Sequence, residues 1–414
     1  MRHPRAFPIP LSPPVPHRRS SRWFRAAGAL AVTTVCALAV PAPAGAAAPR
    51  TTPAADGATS LPAIPVALAA DAPCTAGSGR TAAGATWAQK SLSLPHAWKL
   101  SRGEGITVAV VGTGVSDAAP ALKDRVETVG QAGEDCVGLG TFTAGLIAAA
   151  RTEGTAFQGI APAARVLGIR GTDERGAPSA GLVAAGIRTA VDRGAQVVSV
   201  SSALPEGEEE LTDAVRHASE RDVLVVAPAA PDTEPRSGEA PADAYWPARA
   251  PGALSVVGVG ADGAVLKSAT AARQADLAAP GGAVVGIGPR GKGHFIAAGS
   301  SFAAAYAAGA AALVRAYDPD LSAAETAERL TRSGAPTGSA ARLDPYAALS
   351  MVSAAARPRA EAAGRSEPLR LPVVSTALQD RAMVIAGAMA LVVMLVAAAA
   401  VVIPRGRARG WRRP

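Results

Sequence analysis

Aromatic residues are scarce in this chain, at only 4% of its 414 residues, although 49% of the residues are apolar. The sequence also lacks an internal repeat with a period of roughly 20–50 residues, which excludes a repeat array. It carries no metal-binding cluster and no cofactor motif, so we predict neither a metal nor a cofactor. A chain of this length and apolar content can bury one sizeable core with attached segments.

Positive charge is confined to the two ends of the chain. The formal net charge is +8, but residues 1–46 hold six Arg and no acid, and residues 404–414 hold five Arg and no acid. The remaining 30 basic and 33 acidic residues leave the body at −3. The body also has no stripe of interleaved basic and aromatic residues, so nucleic-acid binding is not predicted. The basic ends are placed to act on membrane topology.

Each end carries an apolar segment beside its Arg cluster. Residues 26–40 follow four Arg and precede Ala44-Gly45-Ala46, which is typical of a secretory signal with a small-residue cleavage site. Residues 382–403 form an uncharged apolar run of 22 residues, long enough to cross a bilayer. A buried core helix is the alternative, but it would not explain the Arg cluster that follows. The positive-inside rule then places the body outside the cell and the C-terminus in the cytosol of a single-pass membrane protein.

Two of the three cysteines remain after removal of the signal, because Cys36 lies inside it. Cys74 and Cys136 form an even pair in an oxidising compartment, which predicts a disulfide. The bridge would attach the Ala/Pro-rich residues 47–95 to the rest of the body. Two free buried thiols are the alternative.

Short apolar segments alternate with helical segments through the middle of the chain. This βα pattern predicts a mostly parallel sheet covered on both faces by helices. The predicted strands are residues 107–111, 165–169, 197–201, 223–227 and 255–259.

Gly299-Ser300-Ser301-Phe302-Ala303 begins an Ala-rich run that extends to Tyr317 and predicts a helix. A serine in the first turn of a buried helix lies beside free N–H groups and positive potential, where an oxyanion could be stabilised. Serine is also a common helix N-cap without any chemistry. The stretch by itself therefore leaves open whether Ser301 is a nucleophile.

Five stretches together resemble the subtilisin-like (S8) serine proteases, in that family's order of acid, base and nucleophile. The apolar strand ending in Gly112-Thr113-Gly114 resembles the family's Asp-Thr-Gly, and Leu139-Gly140-Thr141 resembles its His-Gly-Thr. The other matches are residues 158–166, 186–200 and 275–281. The resemblance implies the family's three-layer α/β fold, with a mostly parallel sheet and one C-terminal transmembrane helix added.

The family's catalytic machinery is largely missing from the corresponding positions. Gly112 occupies the position of the catalytic Asp, Leu139 that of the His, and Pro231 that of the oxyanion-hole Asn; Ser301 alone is retained. Leucine cannot accept a proton, and proline has no donor for an oxyanion. The resemblance also places a peptide groove along Ser201, Ser202 and Ala203.

Few residues could replace the missing base. His294 lies seven residues before Ser301 and is the least implausible substitute among the five histidines. Asp117 and Asp135 flank the lost positions, but a carboxylate alone is a weak base for serine at neutral pH. We interpret both as turn or surface acids.

The arrangement of segments most closely resembles the mycosins, the membrane-anchored subtilisin-like proteases associated with type VII secretion. The predicted segments are a signal peptide (1–46), an extension (47–95), a subtilisin-like domain (96–350), a stalk (351–381), a transmembrane helix (382–403) and a basic tail (404–414). The resemblance implies a pseudoprotease that binds membrane proteins of a type VII secretion system or an extended peptide. The alternative is a serine endopeptidase with residual activity through Ser301.

Overall fold

A nine-stranded sheet forms the centre of the computed structural model, which describes residues 60–234, 242–270, 275–337, 340–351 and 377–410. The strands are β1 (Thr107–Gly112), β2 (Val126–Thr128), β3 (Arg165–Arg170), β4 (Val197–Val200), β5 (Leu224–Pro228), β6 (Ala253–Val259), β7 (Leu277–Pro280), β8 (Val284–Ile287), β9 (His294–Ala297), β10 (Ala335–Thr337) and β11 (Ala340–Arg342). The sheet order is β10-β11-β7-β6-β5-β4-β1-β3-β2, and β8 and β9 form a separate antiparallel pair. All neighbours in the large sheet are parallel except β10 and β11.

Helices cover both faces of this sheet. The helices of the described residues are α1 (Trp87–Ser91), α2 (Leu94–Ala97), α3 (Leu139–Ala148), α4 (Ala180–Asp192), α5 (Glu208–Ser219), α6 (Ser300–Tyr317), α7 (Ala323–Ser333), α8 (Pro345–Ser350) and α9 (Ala377–Ala408), of which α9 lies outside the layers. The predicted helix from the Ser301 stretch to Tyr317 is confirmed as α6.

The two faces of β1 belong to two different hydrophobic clusters. Val108 and Val110 pack in one cluster with residues of α3 and α6, whereas Ala109 and Val111 pack in a second cluster with residues of α4 and α5. Successive side chains of a strand point to opposite faces, so an apolar run buried on both sides produces three layers. The predicted α/β fold is confirmed.

Helix α6 is buried along nearly its whole length, and its composition permits this. Its residues from Ser300 to Arg315 are all buried, and half of them are alanine. A Cβ at Gly309 would lie 1.9 Å from a methyl carbon of Ile160, so only glycine allows the approach at that position. The small side chains therefore place the N-terminus of α6 firmly at the carboxyl edge of the sheet, where Ser300 Oγ accepts a hydrogen bond from Gly258 N.

The described part of the N-terminal extension lies against the sheet domain. Ile64 N donates to Ile296 O beside β9, and Leu68 N donates to Arg175 O. The predicted disulfide between Cys74 and Cys136 is present, and it closes a separation of 62 residues. The extension is thus attached by backbone hydrogen bonds and by one covalent bond.

Helix α9 contains a candidate membrane span. Within residues 381–408, the most apolar window of 18 residues has a mean hydropathy of 2.7, and none of that window is buried. Length and composition are sufficient for a crossing, and the predicted segment 382–403 lies within this helix. The predicted signal peptide, almost all of the stalk, and residues 411–414 of the basic tail lie outside the described residues.

Candidate functional site

The positions singled out in the sequence meet at the carboxyl edge of the parallel sheet. Gly112 ends β1, Leu139 begins α3, and Ser301 lies in the first turn of α6. Gly112, Leu139, the groove segment 201–203 and Pro231 all line one pocket of about 200 Å³. Ligand clefts of open α/β sheets lie at this edge, which agrees with the expected convergence.

Ser301 is bonded to Asp232, a residue that the sequence reasoning did not identify. The Ser301 hydroxyl donates to Asp232 Oδ2 at 2.5 Å, and the Ser301 backbone N–H donates to Oδ1 at 3.0 Å. One carboxylate therefore takes both the hydroxyl that would act as the nucleophile and the N–H that would donate to an oxyanion at this helix N-terminus. The free N–H groups and positive potential of the helix end favour an anion here.

Pro231 was predicted to occupy the position of the oxyanion-hole Asn, but the side chain that meets Ser301 belongs to the next residue. Pro231 lines the pocket, while Asp232 makes the contact. A Cβ on Gly299 would lie 2.1 Å from Asp232 Oδ1, so glycine before the helix leaves room for the carboxylate. In the sequence, Asp232 directly follows Pro231, the residue predicted to occupy the position of the oxyanion-hole Asn.

The environment of Asp232 is unfavourable for its negative charge. The residue is partly exposed, but its carboxylate is turned inward onto Ser301. Burial raises the pKa of Asp232 to about 6, although hydrogen bonds from Ser301 and Ser300 act to lower it. Among the described residues, no Lys, Arg or His forms an ion pair with this carboxylate.

Leu139 begins its helix because a buried acid organises the preceding turn. Asp135 accepts hydrogen bonds from Gly138 N at 2.8 Å, from Thr141 N at 2.8 Å and Thr141 Oγ1 at 2.6 Å, and from Thr113 Oγ1 at 2.8 Å. Burial raises its pKa, and these four bonds oppose that shift. The interpretation of Asp135 as a surface acid is wrong, since it is 4% exposed. Its acceptor positions are occupied by the protein itself, so it is not free to act as a base.

The space beside Gly112 is occupied by a serine hydroxyl. A Cβ at position 112 would lie 2.8 Å from Ser201 Oγ. Ser201 is 8% exposed, and its hydroxyl has no hydrogen-bond partner within the described part of the chain. The loss of a side chain at position 112 therefore coincides with an unpaired polar atom that faces the pocket.

No described histidine contacts Ser301. His294 lies in β9, where its Nδ1 accepts from Ala82 N at 3.2 Å and burial lowers its pKa. His96 packs edge-on against Tyr346, and His217 hydrogen-bonds to Arg221 on α5. His294 thus fastens the extension and is not placed to act as a substitute base. Within the same described ranges, no group of three His, Cys, Asp or Glu could hold a metal ion.

The extension forms one wall of the pocket. Val66 and Ala67 line it together with Gly112 and Leu139. Gly176 packs directly against them: it has a φ of +97°, and a Cβ there would lie 2.9 Å from Val66 O. The cleft is therefore narrowed by the chain's own N-terminal segment.

Comparison with known proteins gives consistent similarities. Residues 103–354 match the sequence profile of the subtilase family, Peptidase S8. Mycosin-1 of Mycobacterium tuberculosis is 32% identical over 299 residues, which cover 59% of this chain. The chain spans about two thirds of that relative, the aligned share being 67% of its length.

Two solved structures share the fold. One is the serine protease MycP1, an essential component of the type VII (ESX-1) secretion system, with a TM-score of 0.59 and 28% identity over 70% of this chain and 96% of the other. The second is a chain of the periplasmic assembly from the ESX-5 inner membrane complex, with a TM-score of 0.58 and 26% identity over 76% and 96% of the two chains. The positions of Gly112, Leu139, Asp232 and Ser301 all lie inside the profile match.

Proposed function

This chain belongs to the subtilase family, and we propose that it is a non-catalytic member: a membrane-anchored, extracytoplasmic pseudoprotease that binds a partner near a type VII secretion system. The observation that carries the proposal is the pairing of Ser301 with Asp232. The hydroxyl that would attack a substrate donates instead to a carboxylate, and that carboxylate also takes the Ser301 N–H.

The chemistry expected of a serine protease is lost at two points, the general base and the oxyanion donor. Serine needs a base to accept its proton, and Leu139 offers none. In subtilisin, a member of the same family, removal of the catalytic His alone lowers turnover on the order of a million-fold. The family's oxyanion donor is replaced by an acceptor, and an anion in that place repels the negative charge that develops on a substrate carbonyl. Each loss alone would suppress proteolysis.

The groove remains suited to binding. Ser201, Ser202 and Ala203 follow β4 at the carboxyl edge of the sheet and line the pocket. An extended peptide laid along such a segment gains main-chain hydrogen bonds by β-augmentation, which requires no catalytic group. We therefore assign to these three residues the binding of an extended peptide without cleavage.

Two further observations support the cellular setting. Helix α9 has the length and hydropathy of a membrane span, with Arg405 and Arg407 in its last turn. The positive-inside rule then puts the C-terminus in the cytosol and the folded body outside. The similarity to MycP1 and to the ESX-5 assembly supports a position beside a type VII secretion complex, with its membrane proteins as partners.

A fluorophosphonate probe, which reacts with activated serines, tests the absence of catalysis. We expect the full-length chain in a neutral detergent to remain unlabelled at Ser301 while a subtilisin control is labelled within minutes. Labelling of the wild-type chain that disappears in Ser301→Ala would overturn the proposal. It would instead favour the second candidate, an endopeptidase with residual activity, for which Asp232, at 2.5 Å from the Ser301 hydroxyl, supplies a proton acceptor.

Membrane anchoring is tested separately. We expect the full-length chain to stay in the membrane pellet after carbonate and high-salt washing, because salt screens electrostatic attachment but leaves an apolar helix in the bilayer. Removal of residues 377–414 should release the body to the medium. A truncated chain that stays in the pellet, or a body that protease added outside cells cannot reach, contradicts this topology.

A further inference from the structure

The pocket left by the missing catalytic side chains has the size of one amino-acid side chain. Its volume is about 200 Å³, below the roughly 300–1,000 Å³ typical of sites for drug-sized ligands. Val66, Leu139 and Pro178 contribute apolar wall, whereas Ser201 and Asp232 contribute polar atoms. An occupant should therefore combine an aliphatic stem with one polar end.

The hydroxyl of Ser201 lies in the wall of the pocket and is an unused hydrogen-bonding group there. It is buried, and it has no hydrogen-bond partner within the described residues. A buried hydroxyl without a partner costs about 1–3 kcal/mol, and its two lone pairs can accept from a donor that enters the pocket. A ligand whose N–H group donates to this hydroxyl would remove the cost of leaving it without a partner.

The negative charge of Asp232 favours a cationic ligand in this pocket. Asp232 is the only ionisable side chain among the lining residues, and no described cation pairs with it. A buried carboxylate without a counter-ion is costly, and a cation that enters the pocket repays part of that cost. An anionic ligand would be repelled by this carboxylate, and no cationic side chain among the lining residues would offset the repulsion. A metal ion would find only one carboxylate and too few further ligands.

Geometry favours an ammonium group over a guanidinium group. Each oxygen of Asp232 already accepts one hydrogen bond from Ser301. The parallel pair of bonds that arginine makes to a carboxylate needs both oxygens from one side. An ammonium group is a compact charge with three donors, so one remaining lone pair of Asp232 and the hydroxyl of Ser201 can hold it.

We propose that this pocket binds a primary ammonium group, either a lysine side chain or the N-terminal amine of a peptide, with Asp232 as its counter-ion and Ser201 Oγ as a hydrogen-bond acceptor. The proposal rests on the non-catalytic, peptide-binding role assigned above and specifies what the groove selects. It also assigns a role to Ser201, which lies beside Gly112, and to Asp232, which is bonded to Ser301. The stem of the lysine would lie against Leu139, in the place where the family has its histidine.

Calorimetric titration of the full-length chain in a neutral maltoside detergent tests the proposal with small probes. Nα-acetyl-lysine N-methylamide presents only a side-chain amine, alanine N-methylamide presents only an α-amine, and Nα-acetyl-norleucine N-methylamide is a neutral control for the stem. We expect at least one amine to bind about tenfold more tightly than the norleucine probe. Whichever amine binds identifies the source. Equal binding of all three, or binding by none, overturns the proposal.

Matched variants locate the interaction. Asp232→Asn keeps the shape and should abolish the preference for the amine, and Ser201→Ala should weaken amine binding about three- to tenfold. Glu234→Gln makes the same charge change at an exposed residue two positions away and should leave binding unchanged. An amine preference that survives Asp232→Asn refutes the assignment. If that variant fails to fold, a wild-type preference that does not fall about tenfold between pH 7.5 and pH 5, where Asp232 gains its proton, refutes it equally.

The two proposals fail separately. Fluorophosphonate labelling of Ser301 would end the non-catalytic assignment and leave the measured amine binding intact. Absence of amine binding would end this inference and leave the unreactive serine as it is.

Discussion

Two carboxylates whose pKa is raised by burial lie beside helix N-termini in this protein, and their surroundings differ. Asp135, before α3, accepts four hydrogen bonds from Gly138, Thr141 and Thr113. Asp232 follows β5, and among the described residues it accepts hydrogen bonds only from the Ser300–Ser301 start of α6. Burial raises the pKa of both, but at Asp135 more donors oppose the shift. The first acid is fully used by the fold, and the second keeps unused capacity to bind.

The number of hydrogen-bond donors around each carboxylate distinguishes a structural acid from a candidate binding acid, whereas the position of the acid in the sequence does not. Both lie close in sequence to positions that correspond to the family's catalytic groups, Asp135 before Leu139 and Asp232 after Pro231. What differs is the number of donors that the protein itself supplies. An acid whose oxygens are all occupied has nothing to offer a ligand, whereas one held on a single side does.

The largest expected effect is on the structural acid. Asp135→Ala leaves several buried donors without an acceptor, so we expect the free energy of unfolding to fall by about 4 kcal/mol. Urea titration of the full-length chain measures it. Asp117→Ala, a change at an exposed acid on the neighbouring segment, should stay within about 0.5 kcal/mol and serves as the control. A loss below about 1 kcal/mol for Asp135→Ala would remove the contrast between the two acids.

Asp232→Asn should act in the opposite direction, with a smaller magnitude. The pKa of Asp232 is raised from 3.8 to about 6 in the folded state, so folding favours its protonated form. The cost of the ionised carboxylate is complete above pH 6, shrinks as the pH falls toward 3.8, and is absent below that value. We expect the variant to be more stable by about 1–3 kcal/mol at pH 7.5.

The pH dependence of this gain is the decisive measurement. Urea titrations at pH 7.5 and pH 4 should show the advantage of Asp232→Asn over the wild type at the higher pH only. Glu234→Gln provides the reference, because its side chain is exposed and should give no such dependence. A variant that is less stable than the wild type at both pH values would place Asp232 with Asp135, as a structural acid.

The smallest expected effect concerns reactivity. Leu139→His restores an imidazole, but we expect fluorophosphonate labelling of Ser301 to stay at background while Asp232 takes the Ser301 N–H and hydroxyl. Combining Leu139→His with Asp232→Asn replaces that acceptor with a donor and should raise labelling about tenfold over the single variant. Ser301→Ala in the double variant is the control. Equal labelling of the single and double variants would show that Asp232 does not obstruct the site.

The fold was predictable because local patterns carry it. Strands buried on both faces require continuous apolar runs such as residues 107–111, and an alanine-rich run beginning at Ser301 can only be a closely packed helix. The short strands β2, β10 and β11, at the two ends of the sheet order, have three residues each and no such pattern, so they were not predicted. Their pairing depends on the neighbouring strand and not on their own composition.

The sequence predicted which catalytic residues are missing from the site, but it did not predict the hydrogen bonds made by Asp135 and Asp232. Gly112 and Leu139 stand in motifs whose order is visible in the sequence. The four donors to Asp135 come from two separate segments that meet only in the folded chain, so the acid was interpreted as a turn or surface residue. Asp232 depends on where the loop after β5 directs its side chain, and no local pattern encodes that direction. Contacts between distant segments were the part that the sequence left open.

The disulfide makes the final shape of the pocket depend on oxidation of the chain. Before oxidation, residues 60–74 are held against the body mainly by scattered backbone bonds such as Ile64 to Ile296 and Leu68 to Arg175. Cys74 and Cys136 can pair stably only in an oxidising compartment. Because Val66 and Ala67 are a wall of the pocket, the cleft would reach its final shape only after this bond has formed. A reduced chain would carry the same residues around a pocket whose wall is less firmly held.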